Sequence, residues 1–100
     1  MPEVKTYLDL NCVFQFLPPG LMLTAAVSPS SEVVEAAYDI PVLDKYLDYV
    51  SVMSYDYHGQ WDGQTGHVAP MYQHQEEENK LFNVNFTVHY WLAGGLRRSK

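Results

Sequence analysis

Hydrophobic residues fall in short blocks along this chain, and the spacing inside the blocks changes from one to the next. "LMLTAAV", Leu21 to Val27, is almost wholly apolar and is bounded by Pro18-Pro19-Gly20 on one side and "SPSS" on the other. A short apolar run between turn residues reads as a strand buried on both faces, as in a parallel sheet. In "DIPVLDKYLDY" the period changes. Leu43, Tyr46, Leu47 and Val50 recur at helical spacing, while Asp44, Lys45 and Asp48 face the other way. Pro41 suits the first helical position, where its missing N–H costs nothing. "YVSVMSY", Tyr49 to Tyr55, follows almost at once as a second strand. Strand, helix, strand with short joints is a βαβ unit, which implies parallel pairing and a right-handed crossover. The class is α/β, with parallel strands 21–27 and 49–55 and a helix over about 41–48.

The remaining segments give weaker patterns. Residues 1–17 fit a helix loosely through Tyr7, Leu8, Val13, Phe14 and Leu17, and Glu32–Ala37 suits a helical turn. Residues 56–81 form a long polar loop rich in Gly, His and Gln. A loop of that length in a compact domain is usually functional, and in α/β folds the loops leaving the carboxyl ends of strands carry the chemistry. The tail "FNVNFTVHYWLAGG" supports two patterns. Phe82, Val84, Phe86, Val88, Tyr90 and Leu92 alternate as a strand would. Asn83 is a good helix N-cap, Val84, Val88, Trp91 and Leu92 make a helical stripe, and Gly94-Gly95 is a helix stop. The pattern alone leaves both open.

The candidate chemistry sits where the second strand meets the loop, in "VMSYDYHGQWDGQTGH". Alternation puts Ser51, Met53 and Tyr55 on one face and Val50, Val52 and Ser54 on the other. The valines would meet helices, leaving Met53 and Tyr55 on the inner side of the sheet with Tyr55 at its open end. Both tyrosine and methionine also suit a plain core. Asp56 has the wrong parity for that face unless the strand bends there. Trp61, between Gly59 and Gly63, reads either as a loop anchor or as a stacking platform for the C–H face of a sugar. His58, His67, His74 and His89 match no compact zinc spacing and read as solvated or hydrogen-bonded. Glu76-Glu77-Glu78 suits a solvated face or the acidic first turn of a helix. Asn85-Phe86-Thr87 is an N-glycosylation triplet that points weakly toward secretion.

Totals narrow the class. One hundred residues make one domain at most, and 47% hydrophobic with 14% aromatic residues suit a folded chain. A net charge of −6 excludes the basic surface that nucleic acid requires. Cys12 is alone and cannot make an internal disulfide. The first residues are not expected to act as a secretory leader, since Glu3, Lys5 and Asp9 interrupt the apolar run one needs. No run is long enough for membrane insertion, and no repeat or low-complexity segment is present.

"LMLTAAVS", "YDIPVLDKYLDYVSVMSYDYHGQWDGQTGHVAPMY" and "FNVNFTVHYWLAGG" together resemble glycoside hydrolase family 18, in particular the chitinases of arthropods and other animals. The Met-x-Tyr-Asp-Tyr-His-Gly stretch followed by Trp-x-Gly-x-Thr-Gly-His is the specific part. The resemblance implies a (β/α)8 barrel in which 21–27 is the fifth strand, 49–55 the sixth, and about 83–93 the sixth helix. A whole barrel takes about 250 residues, so about a quarter of one is expected here. Residues 1–20 read as a divergent N-terminal segment and 21–100 as a partial catalytic domain.

The family hydrolyses β-1,4-linked N-acetylglucosamine polymers by substrate assistance, with no cofactor and no metal. A glutamic acid closing the motif Asp-x-x-Asp-x-Asp-x-Glu on the fourth strand protonates the leaving oxygen, and the substrate's acetamido oxygen attacks the anomeric carbon. That motif is not in this chain. By resemblance, Tyr55 orients the acetamido group and Asp56 binds its neighbourhood or sugar hydroxyls. Met53 lies under the reacting sugar, Ala26 leaves room for the acetyl group, and Trp61 stacks on the leaving-group side. The implied partner is chitin or chito-oligosaccharides, and the implied location is extracellular. Three functions follow: part of a chitinase, part of a chitinase-like lectin that binds without cutting, or a truncated product with no activity of its own.

Overall fold

The computed structural model describes residue 13 and residues 15–100. Cys12 and most of the helix expected over residues 1–17 lie outside them. The elements in chain order are strand β1 (Thr24–Val27), helix α1 (Ser31–Ala37), helix α2 (Ile40–Tyr46), strand β2 (Tyr49–Val52), a 3-10 turn at Gln60–Asp62, and helix α3 (Val84–Ala93). The strands pair in parallel, with Thr24 opposite Tyr49, Ala25 opposite Val50, Ala26 opposite Ser51 and Val27 opposite Val52. The expected βαβ unit is present, with two helices in its crossover. The helical turn expected at Glu32–Ala37 is a full seven-residue helix.

Both strands are shorter than the 21–27 and 49–55 expected. β1 gains only a loose lead-in, where the Leu23 N–H donates to the Asp48 carboxylate at 2.7 Å and the Asp48 N–H to the Leu23 carbonyl at 2.8 Å. It ends at Ser28-Pro29, because proline has no N–H for a ladder. Past β2, the Met53 N–H still reaches the Val27 carbonyl at 2.9 Å, but the Ser54 and Tyr55 N–H groups turn back to the Val52 and Met53 carbonyls. Burial on both faces is also not found. Leu21, Met22, Thr24 and Ala26 are exposed, since no element among the described residues covers that side of the sheet.

The other side carries the core. Val27, Val34, Ile40, Leu43, Leu47 and Trp91 are buried together, with Ala25, Val50 and Val52 of the sheet packed against them. Trp91 of α3 closes this seam. Its indole N–H donates to the Ser28 carbonyl at 3.2 Å, and its ring meets Tyr38 at 5.8 Å between centroids. The tail is a helix over Val84–Ala93, and it buries Thr87 and Trp91, one turn apart, in place of the alternating Phe82, Val84, Phe86, Val88, Tyr90 and Leu92 of the strand pattern. Asn83 caps it by accepting from the Phe86 N–H at 2.8 Å, so α3 proper begins one residue after the range expected. At its end the chain passes so near α2 that a Cβ on Gly94 would lie 2.4 Å from Ile40 Cδ1, and Gly95 takes φ 118°. α2 runs over Ile40–Tyr46 where about 41–48 was expected, with Asp39 as its N-cap and Pro41 in its first turn. The Arg97 backbone N–H and guanidinium both bind Asp44 and tie the C-terminal residues to α2, holding that carboxyl below its ordinary range.

Candidate functional site

The chain leaves β2 through a sharp bend. Asp56 has φ 57°, the left-handed region that aspartate tolerates better than most side chains. The bend resolves the parity problem posed by the sequence. Tyr55 stays at the open end of the sheet with half of its surface exposed, Asp56 faces solvent beside it, and Tyr57 turns inward. The Tyr57 hydroxyl pairs with the Thr87 hydroxyl at 2.5 Å, and its N–H donates to the Val68 carbonyl at 3.0 Å. Thr87 also donates to the Pro29 carbonyl at 3.4 Å. The bend is thus anchored to α3 and to the end of β1. Tyr57 and Thr87 were not singled out from sequence as anchors. The signal was the parity break at Asp56, which requires the next side chain to change sides.

Ala26 lies on the uncovered face of the sheet, opposite Ser51, and alternation carries that face on to Met53, which is half-buried. Val50 and Val52 pack on the helix side, as the alternation requires. Tyr55 and Asp56 are exposed just past the carboxyl end of β2, after the ladder has ended.

Trp61 stands farther along the loop, 65% exposed, in the 3-10 turn. One side of its indole lies on Gly59, where an added Cβ would fall 2.3 Å from the ring. The ring is thus supported on one side and open to solvent on the other. The turn is braced by Asp62, whose carboxylate accepts from the Gly59 N–H at 3.0 Å. The same carboxylate oxygen meets His58 Nδ1 at 3.0 Å, and His58 Nε2 meets Glu77 at 2.6 Å. Glu77 is neither in a helix nor on a solvated face, the two places its charge run suggested. It is half-buried, because the histidine and the Asn79 N–H hold its carboxylate. His74 accepts from the Glu76 N–H and His89 Nδ1 bonds the Asn85 carbonyl, so three of the four histidines are hydrogen-bonded.

A cleft of about 370 Å³ opens in the loop between His58, Gly66, His67, Glu77 and Phe82. It includes none of Ala26, Met53, Tyr55, Asp56 or Trp61. Asn85, the glycosylation candidate, is half-buried in the first turn of α3, and the Thr87 of its triplet has the packing role just described. No helix among the described residues is long and apolar enough to cross a membrane.

Three comparisons bear on this arrangement. Over 85 residues the chain is 51% identical to "Probable chitinase 10" of Drosophila melanogaster, covering 85% of this chain and 4% of that protein. It superposes at TM-score 0.77 and 56% identity on catalytic domain 2 of the Ostrinia furnacalis Group II chitinase, solved as a mutant in complex with (NAG)5, over 79% of this chain and 21% of that one. Human YKL-39, described as a pseudo-chitinase with retained chitooligosaccharide binding properties, superposes at TM-score 0.74 and 28% identity over 87% of this chain and 25% of its own. The chain spans only 4% and 16% of the length of two curated relatives that it matches, the probable chitinases 10 and 2 of Drosophila melanogaster. The sequence profile of glycosyl hydrolases family 18 matches residues 8–100, and with all but the first seven residues so matched, the chain belongs to that family.

Proposed function

We propose that this chain forms part of the substrate-site wall of an extracellular chitinase, one that hydrolyses β-1,4-linked N-acetylglucosamine polymers with retention. The two strands are neighbouring staves of a (β/α)8 barrel, and the uncovered face with Ala26 and Met53 is turned to its axis. One observation carries this reading: Tyr55 and Asp56 stand together at the carboxyl end of β2, both left exposed by a left-handed bend that turns the next residue, Tyr57, inward. Catalytic residues of such barrels stand at that end of their strands.

The chemistry assigns each side chain a task. As the glycosidic bond breaks, the leaving oxygen takes a proton from a glutamic acid two strands away, outside this chain. The electron pair for the new bond comes from the substrate's acetamido oxygen, which closes on the anomeric carbon to give an oxazolinium ion that water later opens. Tyr55 donates its phenolic hydrogen to that acetamido oxygen and holds it in line. Asp56 fixes the acetamido group or sugar hydroxyls, Met53 and Ala26 give the ring and acetyl group an apolar seat, and Trp61 stacks on a sugar beyond the cleaved bond. Asn85 is the proposed glycan acceptor, checked by a mass shift on enzymatic deglycosylation.

The second reading, a lectin that keeps the wall without the acid, is favoured by the likeness to the pseudo-chitinase YKL-39. A chimaera separates the readings from their failure. Residues 21–100 are placed in the matching segment of the moth catalytic domain, which keeps its own acid. The chimaera is expected to hydrolyse a chromogenic chitobiose substrate, and the 100-residue chain alone is not. A folded chimaera that neither binds nor cuts contradicts the wall. Cutting by the chain alone contradicts the assignment of the acid elsewhere. Glutamine or leucine in place of the glutamate in the protein's own fourth strand decides for the lectin.

A further inference from the structure

His58 belongs to none of the roles above, yet both of its ring nitrogens are engaged by carboxylates of the loop. Asp62 meets one ring nitrogen at 3.0 Å and Glu77 the other at 2.6 Å, and Phe82 abuts the ring edge-on at 5.5 Å between centroids. The two partners serve different ends of the loop. Asp62 closes the 3-10 turn by accepting from the Gly59 N–H, and Trp61 is the central residue of that turn. Glu77 belongs to the segment that runs into the α3 cap, where Asn79 accepts from the Leu81 N–H and Asn83 donates to the Lys80 carbonyl. Through His58, the turn that carries the indole is fastened to the entry of a packed helix.

Two glycines make room for this. A Cβ on Gly66 would come within 2.9 Å of the His58 ring, and one on Gly59 within 2.3 Å of the Trp61 ring. Imidazole and indole thus each lie against bare backbone, side by side in sequence order His58-Gly59-Gln60-Trp61.

We propose that His58 is a positioning residue for sugar binding: clasped by Asp62 and Glu77, it fixes the turn that presents Trp61 to a sugar beyond the cleaved bond. The inference rests on the reading of Trp61 as a sugar platform. An exposed ring on a free loop would have to be ordered each time a sugar docks, and the cost of ordering would be subtracted from binding. The clasp meets that cost during folding. Its loss should therefore weigh most on substrates with sugars that extend over Trp61.

The test uses the chimaeric barrel carrying residues 21–100, with kcat and KM measured for N-acetylglucosamine hexamer and for a chromogenic dimer. Trp61→Ala is expected to raise KM for the hexamer by about 3- to 10-fold, the scale of one aromatic stacking contact. His58→Ala and Glu77→Ala should raise it by about two- to fivefold, the scale of one hydrogen bond. In all three, the loss should fall on KM rather than kcat and be smaller for the dimer than for the hexamer. Glu77→Gln keeps an acceptor oxygen and should restore most of the loss. The double variant Trp61→Ala/His58→Ala should match Trp61→Ala alone, since a positioning residue has no effect once its object is gone. Additive losses, or equal losses for dimer and hexamer, overturn the proposal. If Trp61→Ala affects the hexamer while His58→Ala and Glu77→Ala do not, the clasp alone falls. If Trp61→Ala itself does not distinguish the two substrates, the platform falls and the clasp with it. Should His58→Ala not fold, Glu77→Ala and Gly66→Ala, which leave the imidazole in the chain, carry the same test.

Discussion

The two tryptophans divide the molecule. Trp91 is buried to 1% in the seam between α3 and the sheet, in contact with Tyr38 and bonded to the Ser28 carbonyl. Trp61 is in a loop, one face on Gly59 and the other open. Around Trp91 the structure is held by apolar burial, a force that needs no particular partner. Around Trp61 it is held by directed bonds: Tyr57 to Thr87, His58 to Asp62 and Glu77, and the Val84 and Asn85 N–H groups to the Pro70 and Met71 carbonyls. A loop fixed by polar bonds can be ordered without hiding its aromatic surface, and that surface remains available to a ligand.

Truncating each ring is the sharpest way to break the comparison. In the chimaeric barrel, Trp91→Ala should cost about 3–5 kcal/mol, because it leaves a cavity and an unpaired Ser28 carbonyl. Trp61→Ala should change stability by less than about 0.5 kcal/mol. Urea denaturation of both variants measures the difference, and similar losses would show that Trp61 is an anchor after all. The two tyrosines flanking Asp56 repeat the contrast on a smaller scale. Tyr57→Phe deprives buried Thr87 of a partner and should cost about 1–2 kcal/mol, whereas Tyr55→Phe should leave the urea midpoint in place.

The smallest effect is electrostatic and belongs to the packed side. Arg97 lowers the pKa of Asp44 from its ordinary 3.8, first through its backbone N–H and then through its guanidinium. A carboxyl with a depressed folded pKa contributes stability that is present above its unfolded value and is lost as pH falls through the folded one. The melting temperatures of the chimaera and its Asp44→Asn variant should therefore differ slightly at neutral pH and converge as pH falls through the lowered pKa of Asp44. A gap that widens in acid would contradict the pairing.

The packed side was also the side legible in the sequence. Leu43 and Leu47 gave the period of α2, Val50 and Val52 the helix-facing side of β2, and the parallel pairing followed from the short joints. Strand ends were not legible. Ladder length depends on a neighbouring strand, and Leu21 and Ser54 have none that continues beside them among the described residues. Local pattern could not choose strand or helix for the tail, because the choice is made by Thr87 and Trp91 reaching the core together. The residues assigned to the site came from resemblance to a family motif, and the bend at Asp56 supplies the physical reason they stand where they do. The clasp at His58 was illegible, since Glu77 is brought to it by a loop whose course no periodicity records.

The central claim is that Tyr55 stands ready for substrate and not for the core. Its most direct test is Tyr55→Phe in the chimaeric barrel, with steady-state kinetics on N-acetylglucosamine oligomers. The hydroxyl is lost where the acetamido oxygen attacks, so kcat should fall by about 10- to 1,000-fold, the scale of one positioned hydrogen-bonding group, while KM changes little. Unchanged kcat, or a loss of stability in place of a loss of turnover, would contradict the account and return Tyr55 to the core.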